Sequence, residues 1–166
     1  MGKSFSFDVV SDYDAAEMNN VVDQARREIL TRYDFKGTSA AVEFGSEDKE
    51  SLKLTGDTQY HLDAIMDMVR KKAAIRGVSQ KVFDVNAEPE TSNMKMTWII
   101  KFQKGLDQEK AKKITKLIRD KLPKVKTQIQ GDEVRVSSAK KDELQGAMTL
   151  IKEAKFDFPV SFVNFK

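Results

Sequence analysis

Residues 51–69, SLKLTGDTQYHLDAIMDMV, decide the fold because their pattern returns in residues 133–151, EVRVSSAKKDELQGAMTLI. Five apolar positions match at one constant offset: Leu52, Leu54, Leu62, Met66 and Val69 correspond to Val134, Val136, Leu144, Met148 and Ile151. Each copy begins with alternating apolar residues, which predict a half-buried strand, and continues with the spacing of an amphipathic helix. The chain is therefore expected to contain one structural unit twice.

Outward from each copy, the sequence predicts the order β-α-β-β-α-β. The predicted strands are 4–10, 40–44, 51–55 and 81–86, and then 96–102, 124–130, 133–137 and 158–165. The predicted helices are 18–33, with Tyr33 on the apolar face, 58–77, 107–122 and 144–151. Asp14 with Glu17 resembles a capping box before the first helix, the second starts near Asp57 or Thr58 and ends at Gly77, and Asp107 caps the third. Polar residues 87–93, which include Pro89, are interpreted as a linker. Two such units predict an α+β protein with two ferredoxin-like domains in tandem, each with two helices on one face of an antiparallel sheet.

The helix-free faces of these sheets are predicted from the alternation along each strand. If Trp98 and Ile100 face the helices, Lys95, Thr97, Ile99 and Lys101 face away from them. The same parity exposes Lys53 in the first unit and Arg135 in the second. These faces are polar and basic but poor in aromatic residues, which argues against the base-stacking platform of RNA-recognition modules.

Composition and missing motifs exclude several classes of function. The 166 residues carry a net charge of +3, no cysteine and a single histidine, His61, which is interpreted as a helix-surface residue. No apolar run reaches the roughly 18 residues that a membrane span needs, and the cytoplasm is the expected location. Phosphate-loop and dinucleotide motifs are also absent. We therefore expect no enzyme, catalytic residue, metal site or cofactor.

Five stretches of the chain carry a family resemblance: SFSFDVVSDYD (4–14), TRYDFKG (31–37), IQGDEVRV (129–136), KKDELQ (140–145) and FPVSFVNFK (158–166). From end to end, the sequence resembles the YajQ family of small bacterial cytoplasmic proteins. The resemblance implies that the first strands of the two domains are exchanged. Residues 11–103, including strand 94–103, would form the first domain, and residues 1–10 with 104–166 the second.

The resemblance also implies nucleotide binding. Some members of the family are described as binding cyclic di-GMP and acting through a transcription regulator, and RNA or mononucleotide binding has been proposed as well. In TRYDFKG, Arg32 and Lys36 would then contact phosphate, and Asp34 would accept hydrogen bonds from a guanine edge. Arg135, Lys140 and Lys141 form a second candidate cluster, at the start of the last helix.

Other interpretations of these residues remain open. In a purely structural one, Tyr33 and Phe35 pack inward, Gly37 supplies a positive φ, Asp34 caps backbone amides, and the cations complement a helix C-terminus. A basic helix with Lys112, Lys113, Lys116 and Arg119 suggests binding of RNA, such as tRNA, or only a solvated surface. A protein-interaction module without a ligand is the third alternative.

Overall fold

The computed structural model describes residues 4–166, which form four α-helices and two sheets. In chain order the elements are β1 (Phe5–Val10), α1 (Ala15–Thr31), β2 (Ala41–Phe44), β3 (Ser51–Gly56), α2 (Gln59–Ile75), β4 (Phe83–Asp84), β5 (Glu90–Ser92), β6 (Lys95–Phe102), α3 (Gln108–Lys121), β7 (Lys126–Gln130), β8 (Glu133–Ser138), α4 (Lys141–Glu153) and β9 (Ser161–Val163). Single 3₁₀ turns span Tyr33–Phe35 and Gln80–Val82. The α+β class with two ferredoxin-like units is confirmed.

One compact unit comprises Tyr13–Gln103. Its antiparallel sheet has the order β2-β3-β6-β4, and β5 pairs with the other end of β6. Helices α1 and α2 pack against this sheet. Their apolar stripes meet the inward side chains of β3 and β6, so that Leu52, Leu54, Leu62, Ile65 and Ile100 are fully buried.

The other unit comprises the residues up to Asp12 together with Lys104–Lys166. Its sheet has the order β7-β8-β1-β9, and helices α3 and α4 pack on it. Phe7, Val9, Ile114, Val136 and Ile151 form its core. Here β1 lies between β8 and β9, and in the first unit β6 lies between β3 and β4. The domain boundaries and the exchange of first strands that the resemblance implies stay predictions.

Local sequence signals explain where the helices begin and end. The side chains of Asp14, Thr58 and Asp107 accept hydrogen bonds from backbone amides three residues later, at 3.1, 3.4 and 2.8 Å. Each bond satisfies an amide that the first helical turn leaves without a partner. At the end of α2, Gly77 takes φ +77°, a conformation that costs glycine little. These capping predictions are confirmed.

Several predicted elements differ from the structure. Strand 81–86 is reduced to Phe83–Asp84 after a 3₁₀ turn, and strand 158–165 is reduced to Ser161–Val163. Helix α1 ends at Thr31 because Arg32 is extended, and Tyr33, predicted to face the core, is 86% exposed. Residues 87–93 are not a simple linker, because Glu90–Ser92 forms β5 and pairs with β6. The side chains of β5 are all exposed, so no apolar alternation marked it in the sequence.

Candidate functional site

The TRYDFKG segment is a compact turn anchored by one buried aromatic residue. After α1 ends, residues 33–35 make a single 3₁₀ turn, and Gly37 takes φ +72°. Phe35 is buried, and its ring meets the imidazole of His61 edge to face, with centroids 5.6 Å apart. The structural roles predicted for Phe35 and Gly37 are confirmed. They hold the turn against the start of α2.

His61 is a buried residue, so its interpretation as a helix-surface residue was wrong. Its Nδ1 accepts a hydrogen bond from the backbone amide of Asp57 at 3.0 Å. A Cβ added at Gly56 would lie 2.5 Å from the Cβ of His61, so any larger residue at position 56 would clash with His61. The histidine is therefore a packing residue that joins the turn to α2.

Arg32, Asp34 and Tyr60 form a hydrogen-bonded network at the surface. Arg32 donates to both carboxylate oxygens of Asp34, from Nε at 3.0 Å and from a terminal nitrogen at 2.7 Å. The Tyr60 hydroxyl donates to the same carboxylate at 3.2 Å, and the Arg32 guanidinium lies 4.7 Å from the centroid of the Phe35 ring. The bonds from Arg32, and then from Tyr60, hold the pKa of Asp34 below its usual value. Asp34 is thus engaged mainly by side chains, and its own backbone amide is a weaker donor to the carboxylate.

Lys36 and Tyr33 lie on the exposed side of the same turn. The Lys36 ammonium is 6.0 Å from the centroid of the Tyr33 ring, at the outer limit of a cation–π contact. Neither side chain lines the neighbouring pocket. The structure therefore brings Arg32 and Asp34 into direct contact and leaves Lys36 free to reach outward.

Beside this network, a pocket of about 620 Å³ opens along α2. Its lining consists of Arg32, Tyr60, Asp63, Ala64, Met66, Asp67, Arg70, Val85 and Trp98. The volume lies within the roughly 300–1,000 Å³ typical of small-molecule sites. Two guanidinium groups, two aromatic rings and two carboxylates therefore share one concave surface.

The wall formed by α2 supplies residues that were not predicted as ligands. Asp63, Asp67 and Arg70 recur at helical spacing, so all three face the pocket. Trp98 reaches it from β6, and its indole nitrogen donates to the carbonyl of Ala87 at 2.7 Å. The helical spacing of the charged residues was visible in the sequence. The cavity itself was not predictable, because only the packing of α2 beside Trp98 forms it.

The second predicted cluster is divided between the two faces of its sheet. Arg135 pairs with Asp8 on the neighbouring strand β1, from Nε at 3.0 Å, and faces away from the helices. Lys141 lies on the helix side, with its ammonium 5.0 Å from the centroid of the Phe5 ring. Lys140 is exposed, and its amide donates to the Ser138 hydroxyl at 3.1 Å. The three cations do not converge on one point.

Asp8 is a buried carboxylate on the helix-free face. It is 2% exposed and accepts from Arg135 and from the side-chain amide of Asn164, the latter at 2.9 Å. The hydrogen bond from Arg135 is the main reason that the pKa of Asp8 is lowered, while burial opposes it. These contacts hold β8, β1 and the residues after β9 together, which is a structural role.

The structure also shows the surroundings of the basic residues predicted on two other surfaces, the helix-free face of the first sheet and α3. On the helix-free face of the first sheet, Lys53 lies opposite Glu43 and Lys101 opposite Asp84. Opposite charges at cross-strand positions reduce the attraction of that face for phosphate. By contrast, the four cations predicted on α3 are all exposed: Lys112, Lys113, Lys116 and Arg119.

Two kinds of feature are absent from the described residues. Residues 4–166 contain no group of three or more side chains placed to hold a metal ion. None of the helices described in the structure is long and apolar enough to cross a membrane.

Comparison with known proteins identifies relatives over the whole chain. A family model described as nucleotide-binding protein YajQ-like matches residues 5–166. Proteins from Trichodesmium erythraeum and Nostoc punctiforme are each 43% identical over 166 residues, covering all of both chains. A protein from a Nocardioides species is 44% identical over 162 residues, which is 97% of this chain and 98% of the relative. All three are named nucleotide-binding proteins, and the chain belongs to the YajQ-like family, as its resemblance predicted.

Proposed function

We propose that the protein binds a guanine nucleotide, with cyclic di-GMP as the first candidate, in the pocket beside Arg32. The names of the family and of its relatives support nucleotide binding as the general function. One observation supports placing the nucleotide in this pocket. Two hydrogen bonds to Asp34 hold the Arg32 guanidinium in position at the edge of the 620 Å³ pocket. A pre-positioned guanidinium loses little conformational entropy when it binds phosphate.

Each part of a guanine nucleotide has a chemically suitable partner in this pocket. Arg32 and Arg70 would contact phosphate oxygens, and Lys36 would approach from the exposed side of the turn. The rings of Tyr60 and Trp98 would stack on bases. Asp63 or Asp67 would accept hydrogen bonds from the guanine N1–H and N2–H₂ groups. We assign Asp34 a positioning role, because both of its oxygens already receive hydrogen bonds.

The signalling role belongs to the same proposal and rests on the resemblance. In the bacterial cytoplasm, binding of cyclic di-GMP would change how the protein engages a partner, such as a transcription regulator. The family is described by what it binds and not by a reaction, and the proposal assigns no catalytic residue.

Calorimetric titration of the protein with cyclic di-GMP tests the proposal, with cyclic di-AMP and GTP as competing ligands. We expect saturable binding that prefers guanine. Arg32→Ala should weaken it by about 1.5–3 kcal/mol, because charged hydrogen bonds are lost. Arg27→Ala is the matched control, since Arg27 lies on α1, pairs with exposed Asp23 and does not line the pocket. Equal affinity in both variants would remove Arg32 from the site.

A second candidate function is RNA binding by α3, which its four exposed cations favour. Release of counterions would make such binding fall steeply with salt, roughly in proportion to the number of phosphates neutralised. Titration with a tRNA and a short single-stranded RNA at two salt concentrations tests this. Replacing Lys112 and Lys116 together by alanine should reduce the salt dependence. Binding of neither RNA nor nucleotide would leave a protein-interaction module as the remaining alternative.

A further inference from the structure

A second concave surface lies in the other compact unit, between α4 and the first residues of β1. It has a volume of about 360 Å³ and is lined by Phe5, Ser6, Phe7, Lys141, Leu144, Gln145, Met148, Phe165 and Lys166. We call it the aromatic groove. Three of its residues are phenylalanines and two more are the apolar Leu144 and Met148, so its chemistry differs from that of the charged pocket beside Arg32.

The residues after β9 build one wall of the aromatic groove. Asn164 takes φ +55°, and its side chain donates to Asp8 at 2.9 Å. Beyond it, Ser6 and Lys166 exchange two backbone hydrogen bonds, at 3.2 and 3.0 Å. This pairing fixes Phe165 with its ring centroid 6.0 Å from that of buried Phe7, yet 61% of Phe165 stays exposed. A large apolar side chain is therefore held in place with much of its surface still in water.

Two lysines line this apolar surface, Lys141 and Lys166. The Lys141 ammonium lies over the Phe5 ring, and none of the ion pairs among residues 4–166 gives it a carboxylate partner. Of the acids in the same helical turn, Glu143 accepts from the Ser138 hydroxyl, and Asp142 does not line the groove. Of the two lysines, Lys141 is the one whose ammonium lies over a ring of the groove, which makes it the first cation for an anionic ligand to meet.

We propose that the aromatic groove binds a small amphiphilic carboxylate, with its aliphatic chain against Met148 and Phe165 and its carboxylate on Lys141. Burial of the chain supplies most of the binding energy, and the ammonium groups select an anionic head group. The groove combines two lysines with several apolar side chains and, within residues 4–166, is lined by no aspartate or glutamate, so an apolar chain with an anionic head group matches it. This site is independent of the nucleotide pocket.

Methyl NMR provides a direct test, because Met148 lies in the groove and Met94, in the other unit, is 91% exposed. The protein is labelled at its methionine methyl groups, the Met148 signal is assigned with Met148→Leu, and decanoate is titrated below its micellar concentration. We expect a saturable shift of the Met148 signal with none at Met94. Decanoate should bind about tenfold more tightly than decylammonium of the same chain length, the difference expected for one charged hydrogen bond.

Paired variants separate the head-group contact from simple partition into an apolar surface. Lys141→Gln should reduce the preference for decanoate, while Lys140→Gln, at the exposed neighbouring position outside the groove, should leave it unchanged. Equal affinity for decanoate and decylammonium in the unmodified protein would overturn the proposal. So would a Met148 signal that no decyl compound moves, or tighter binding of an aromatic carboxylate such as 2-naphthoate.

Discussion

Two arginine–aspartate pairs with the same fork geometry do different work in this protein. Arg135 and Asp8 are 127 residues apart in the chain and meet across neighbouring strands, where Asp8 is almost fully buried. Arg32 and Asp34 are two residues apart, in an exposed turn at the edge of a pocket. The chemistry of the pair is therefore a poor guide to its role. Burial and the neighbouring cavity distinguish the pair that holds a sheet together from the pair that we propose meets a ligand.

Removing the buried carboxylate should have the largest effect on stability. Asp8→Ala loses charged hydrogen bonds from Arg135 and Asn164, and we expect the free energy of unfolding to fall by about 1–3 kcal/mol. Chemical denaturation measures it. Asp23→Ala, which removes an exposed i,i+4 pair, is the control, with an expected loss below about 0.5 kcal/mol. Similar losses in the two variants would contradict the structural role of Asp8.

The Arg135–Asp8 pair also predicts that the protein loses stability in acid. The pKa of Asp8 is lowered in the folded protein, mainly by the bond from Arg135, so its contribution is fully present above the unfolded pKa of about 3.9. That contribution disappears as the pH falls through the lower, folded pKa. Between about pH 5 and pH 2, stability should therefore fall more steeply in the unmodified protein than in Asp8→Asn. Parallel curves from denaturation at several pH values would contradict this.

Weakening the exposed Arg32–Asp34 pair should have a smaller effect, and it should change nucleotide affinity instead of stability. Tyr60→Phe keeps the ring for stacking but removes the hydrogen bond to Asp34. We expect nucleotide affinity to fall by about twofold to tenfold, because Arg32 and the ring are then held less firmly. The melting temperature should hardly change, since Tyr60 is mostly exposed. A large change in stability with unchanged affinity would show that the network is structural.

Features that depend on neighbouring residues in the chain were predictable from the sequence. The repeated apolar pattern predicted the two units, and Asp14, Thr58 and Asp107 predicted the helix starts. Phe35 was predicted to be buried for the same reason, because it follows the end of a helix directly.

Features that depend on tertiary packing were not predictable. Tyr33 continues the apolar spacing of α1, but the backbone leaves the helix at Arg32 and turns it outward. The roles proposed for Arg70 and Trp98 depend on a cavity between α2 and the neighbouring segments, which no local pattern encodes. Likewise, the partner of Arg135 follows from the register of β1 against β8. Sequence alone could therefore nominate Arg32 but not complete its site.

Titration calorimetry with cyclic di-GMP on two variants, Arg32→Ala and Asp8→Asn, tests the central claim most directly. Each change disrupts one of the two arginine–aspartate pairs. The account predicts that Arg32→Ala binds at least about tenfold more weakly with nearly unchanged stability, and that Asp8→Asn is less stable but binds normally. Full affinity in folded Arg32→Ala, or loss of affinity only in folded Asp8→Asn, would contradict the placement of the nucleotide in the pocket beside Arg32.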